Sequence, residues 1–191
     1  MAAGTAERPD TIDSRATWAR GLGQLLDEIE SLLLVVPVAV YQTPSEEHAG
    51  TIGQHVDRCL DLIDTLLSVG SSGIIVYQHH AYHHHDRGTA SATNSADALR
   101  RVRALKKPLD GWPKRPLDGV ISVDHVVWPF GEFERGWSTL AGEIAFVANH
   151  IVHAQTLIAQ LMSGFRLSVP DGFGSMPLAA LRARSSVRPS W

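Results

Sequence analysis

The sequence predicts an all-α fold, a four-helix bundle with long connections that leaves room for a short β-hairpin before the last helix. Three observations carry this. Apolar residues recur at three- and four-residue steps in four separate segments, proline or glycine ends most of them, and no internal repeat is visible. A chain of 191 residues can build one core but is short for two. The expected organisation is a disordered tail over 1–13, a single helix-bundle domain over 14–182 and a C-terminal tail over 183–191.

The first helix is marked by Trp18, Leu22, Leu25, Leu26, Ile29, Leu32, Leu33 and Val36, and Pro37 stops it. The second runs from about Thr51 to Val69, with Ile52, His55, Val56, Cys59, Ile63, Leu66 and Leu67 along one stripe, before "GSSG" at 70–73. His55 lies inside that stripe, not opposite it. A connection of some twenty residues follows and contains "VYQHHAYHHHDRGT". Asn94 or Ser95 can cap a third helix whose Ala98, Leu99, Val102 and Leu105 face inward, while Arg100, Arg101 and Arg103 face water. "KKPLDGWPKRPLDG" breaks helix, and "VISVDHVV" at 120–127 alternates like a short strand or hairpin arm. The last long helix spans roughly Ser138 to Met162 on Leu140, Ile144, Val147, Ile151, Ala154, Leu157, Ile158 and Leu161.

Composition excludes several classes. Charged residues make up 19% and the net charge is -3, so no basic face points to nucleic acid. The apolar run "LLLVVPVAVY" at 32–41 is shorter than the roughly 20 residues of a spanning helix, and the N-terminal stretch has no leader-like apolar core. The expectation is a cytoplasmic protein with no nucleic-acid or membrane partner, and the single Cys59 fits a reducing compartment. Cys59 reads as a buried, inert thiol, and Asp61 and Asp64 as solvated positions on the helix surface.

Chemistry points to histidine. Bundle interiors build sites from polar side chains on facing helices, and His55, His150 and His153 fall on or beside the apolar stripes of two of them. An imidazole among leucines is costly unless something bonds it. Three of them converging would suit a divalent metal with an open position, and hydrogen-bonded core histidines are the alternative. The pair His150 and His153 is spaced i, i+3, whereas a helical chelating pair is usually i, i+4, where Ala154 stands. Glu143, two turns before His150, is a candidate proton carrier or orienting residue, or simply an acid placed at a helix N-terminus. The dense run His79–His85 is a Gly/Ser/Thr-flanked loop that can bind metal adventitiously, with metal buffering as its sharpest role. His48 and His125 have no placed partner.

These residues add up to a resemblance. "GTIGQHVDRCLDLIDTLL" at 50–67, "STLAGEIAFVANHIVHAQTLI" at 138–158 and "DGFGSMPLAAL" at 171–181 resemble, in that order, segments of the DinB-like (DinB/YfiT-type) metalloenzyme superfamily. The resemblance covers roughly residues 20–182. It implies a four-helix bundle holding zinc or nickel through His55 on the second helix and a pair of histidines on the last, His150 with His153 the nearest available. It also implies a small-molecule substrate, with thiol-dependent S-transfer using a low-molecular-weight thiol, isomerisation or hydrolysis as the reaction. The sequence departs from the pattern at Arg58 and Leu62, where further histidines are expected, and at Ala154, where the i, i+4 partner of His150 would stand. Two functions follow: a metal-dependent transferase or hydrolase, or a degenerate, non-catalytic binding or stress module with an incomplete metal site. Bundles of this kind often pair, so a homodimer is an open expectation.

Overall fold

The computed structural model describes residues 14–45, 50–69, 73–77, 89–127 and 132–174, with the side chains of 14, 125–127, 132 and 133 outside the description. The expected tails, residues 175–182, His48 and the run His79–His85 all lie outside the described residues. Helices dominate, joined by one small sheet.

Helix α1, Ser14–Val35, buries Leu22, Leu26, Ile29, Leu32 and Leu33, the three- and four-residue spacing that defines one helical face. Pro37 then stands in extended conformation as the N-cap of the short α2, Val38–Gln42, which drives Tyr41 into the core. Helix α3, Ile52–Leu67, opens on a reciprocal cap. The Thr51 hydroxyl accepts from the Gln54 N–H, and the Gln54 side chain accepts from the Thr51 N–H. Its stripe of Ile52, Val56, Cys59, Leu60, Ile63 and Leu66 is fully buried.

Strand β1, Ile74–Val76, follows, and beyond it lie the one-turn α4, Ala90–Thr93, and α5, Ser95–Lys106. Asn94 caps α5 by accepting from the Ala96 and Asp97 N–H groups. A single 3₁₀ turn over Lys107–Leu109 leads away from it. Strands β2, Val120–Val127, and β3, Glu132–Thr139, form an antiparallel hairpin from Val120↔Thr139 to Val127↔Glu132, at the place where the alternating sequence allows one. Thr139 ends β3 and caps α6, Leu140–Gly164.

The third strand is new information. β1 pairs in parallel with β2, with Ile74↔Ser122 and Val76↔Asp124, giving the order β1-β2-β3. Helix α3 packs on α6, α4 and α5, and α1 packs on α5 and α6. Among the described helices α6 alone has the length and apolar composition to cross a membrane, yet its Ile144, Val147, Ile151 and Ile158 are fully buried in this core.

Candidate functional site

Polar groups collect where β1 runs out against the start of α6. Tyr77, the first residue after β1, is held by its N–H donating to the Asp124 carbonyl, so the sheet fixes where its side chain goes. Its phenol donates to Glu143 Oε2 at 2.9 Å. Burial, and after it the neighbouring Glu143 carboxylate, pushes the Tyr77 pKa well above the ordinary phenol value, so this group stays a proton donor at neutral pH. Glu143 is 8% exposed and lies in the first turn of α6, where the helix dipole favours an anion.

One turn along, Phe146 places its ring centroid 5.5 Å from that of Tyr77 and 4.2 Å from that of His150. The three rings thus form a row, and Phe146 is 42% exposed. His150 Nδ1 lies 3.1 Å from the Phe146 carbonyl oxygen. A carbonyl only accepts, so Nδ1 carries a hydrogen here, and in the neutral ring Nε2 is then the nitrogen with the lone pair, on an exposed residue. The site therefore combines a carboxylate, a phenol locked as donor, and an imidazole nitrogen able to accept a proton or ligate.

The other predicted residues fall elsewhere. His55 is half-buried in the first turn of α3, with Nε2 3.7 Å from the point where a side chain on Gly50 would begin. His153 is exposed one turn beyond His150. Ala154 is 6% exposed and belongs to the core stripe of α6. Among the described residues no three His, Cys, Asp or Glu side chains gather closely enough to hold a metal ion, so His55, His150 and His153 do not make a ready three-ligand centre. His125 contributes its backbone to β2, and its side chain is outside the description. Sequence reasoning missed Tyr77 and Phe146; the available signals were the tyrosine closing the β-branched run "IIVY" and the i, i+3 spacing of Phe146 from Glu143.

A second polar cluster corrects two expectations. Arg101 does not face water. Its guanidinium reaches Asp57 Oδ1 at 3.1 Å, pairs with Asp61 and lies 3.5 Å from Asp64. Asp57 is 2% exposed and also accepts from the Ser91 hydroxyl, while the Tyr41 hydroxyl donates to the Ser91 carbonyl at 2.6 Å. Asp61 thus serves an ion pair instead of standing solvated, because α5 packs against the face of α3 that carries it, while Asp64, at the rim of the pair, keeps 61% of its side chain exposed as expected. A long, planar guanidinium can span that seam while its stem stays on the surface.

Cys59 is buried as expected, and burial pushes its thiol up to about 12. At about pH 8 the folded protein is therefore expected to leave an aromatic disulfide reagent unreduced, with reaction appearing only as urea unfolds the chain. Prompt release of one equivalent of chromophore from the folded protein would contradict this packing.

Compared with known protein families, with curated proteins and with solved structures, the chain matches none.

Proposed function

We propose that the chain is a DinB-like four-helix bundle, its long helices being α1, α3, α5 and α6, that binds a small molecule at the Tyr77–Glu143–Phe146–His150 face and whose histidine centre is incomplete. The observation that carries this is Ala154. One turn after His150, where the resemblance places a second ligand on the same face, a methyl group is buried in the core instead. His153 is the nearest substitute, but it is exposed. The donor set does not fit a resident zinc or nickel ion, which takes three protein ligands at a catalytic site. Glu143, Tyr77 and the Nε2 of His150 supply what a binding face needs without it: an acceptor, a donor and an apolar ring between them.

A second reading, a divalent-metal-dependent S-transferase or hydrolase using a low-molecular-weight thiol, is favoured by one observation. Metal-ligating histidines commonly donate their other ring N–H to a backbone carbonyl, as His150 does to Phe146. Metal analysis of untagged protein, purified without nickel resin, separates the two. The incomplete-site reading expects substoichiometric metal and a melting temperature unmoved by zinc or nickel, in the natural chain and in a variant with the histidines of 79–85 replaced by Ser. One tightly held equivalent, kept by that variant and lost on His55→Ala, would establish the metal-dependent reading in its place.

The converse substitution has an expected sign. Ala154→His creates an i, i+4 pair with His150. Without metal it should lower stability by about 1–3 kcal/mol, the usual cost of enlarging a packed position. Added zinc should then raise its melting temperature, a response the natural chain lacks.

A further inference from the structure

We infer that the Glu143–Phe146 face takes an organic ammonium group, the carboxylate pairing with its charge and the Phe146 ring packing against its carbon substituents. This rests on the reading of that face as a small-molecule site and names the ligand's chemical class.

Glu143 is a covered charge beside which no lysine or arginine stands among the described residues. Several other covered carboxylates among the described residues are matched by cations: Asp57 by Arg101, Glu30 by Arg103 and Lys106, and Asp124 by two guanidinium nitrogens of Arg135 at 2.6 and 2.8 Å. Half-buried Glu28 accepts instead from the Gln24 and Gln155 amides. Glu143 is more than nine-tenths buried, yet among the described residues its side chain has the Tyr77 phenol as its hydrogen-bond partner and no lysine or arginine beside it. An ionised carboxyl offers about four lone-pair sites, and a single phenol fills one of them. Burying such a charge without a counter-ion is unfavourable. The first-turn helix dipole offsets only a part of that cost.

The surroundings select the kind of cation. A transition metal would need further donors, and no third His, Cys, Asp or Glu joins Glu143 and His150 among the described residues. An anion is repelled. What touches the carboxylate is the Tyr77 phenol, the first of the row of rings, with Phe146 one turn along α6 and open to solvent between Tyr77 and His150. An ammonium carrying carbon substituents gains from a ring face within about 6 Å, whereas a small, strongly hydrated inorganic cation gives up water for little return. The N–H groups of a primary amine can also donate to the oxygen that Tyr77 leaves free.

The test uses the full chain near neutral pH, with benzylamine, benzyl alcohol and benzoate as probes that share one ring and differ in charge. Binding is measured calorimetrically and mapped by amide chemical shifts. Benzylamine is expected to bind at least about tenfold tighter than benzyl alcohol, with shifts centred on the first three turns of α6, and benzoate not to bind. Glu143→Gln should erase the preference while leaving the circular dichroism spectrum unchanged. If that variant does not fold, Phe146→Leu, at a half-exposed position, carries the test. It should weaken benzylamine several-fold, and an undiminished affinity would mean diffuse attraction to an acidic surface and overturn the inference. Equal binding of amine and alcohol at this face would also overturn it while sparing the small-molecule reading. Failure of all three probes to perturb this face would remove both.

Discussion

Arg101→Ala is expected to destabilise the protein by about 3 kcal/mol, near the lower end of what removing one partner of a buried ion pair costs. The guanidinium carries one charge against three aspartates spaced along a single face of α3, and only Asp64 among them is well solvated. Burial works against the charge of Arg101, but its bond to Asp61 and the fields of Asp61, Asp57 and Asp64 outweigh it, so the pKa of the group is raised. Take the cation away and Asp57 is left almost fully buried, with the Ser91 hydroxyl as its remaining bond in this cluster. The second substitution Asp57→Asn should then restore part of the loss, because it removes the orphaned charge. A double-mutant cycle by urea unfolding would read this as a coupling well above about 0.5 kcal/mol. Additive effects would show that the cluster is no more than a set of surface pairs, which are usually worth under about 1 kcal/mol each.

Gly53→Ala is expected to cost about 3 kcal/mol or more, although alanine is the better helix former by about 1 kcal/mol. Gly53 sits in the first turn of α3 where α2 and α4 close on it. A Cβ there would overlap the Ala92 carbonyl oxygen and come within 2.7 Å of Tyr41 Cε1. The obstacle is backbone on one side and a fully buried ring on the other, so neither yields cheaply. Gly21→Ala is the matched control. It lies within α1 with nothing inside 4 Å of the added atom, and should stabilise by about 0.5–1 kcal/mol. Thermal melts of the two variants should therefore move in opposite directions. If both rise, α4 does not press on α3 as described.

The helices were legible because their information is local. Pro37 and Asn94 stand within a residue or two of the boundaries they set, and the apolar stripes of α1, α3 and α6 repeat at the helical period. The hairpin arm at 120–127 was legible for the same reason. β1 was not: three residues carry too little period to separate a strand from a loop, and its partner is distant in sequence. That one omission hid half the site. Glu143 and His150 can be picked out on α6, but Tyr77 joins them only because the sheet delivers it across 66 residues. Arg101 was misplaced by a different limit. Helical phase gives the direction of a Cβ, and an arginine is long enough to end up on the other side of where it points.

The parallel pairing of β1 with β2 also has a kinetic reading. The β2–β3 hairpin closes a short loop, and α5 can form on its own cap, so both can be early events. Ile74 meets Ser122 only after the intervening chain has been brought back on itself, a closure that loses more entropy before any contact rewards it. The order this implies leaves β1 docking late and Tyr77 reaching Glu143 with it. A folding chain would then complete its helices first and its ligand face last, so recovery of amine binding should lag behind recovery of helicity in a refolding experiment.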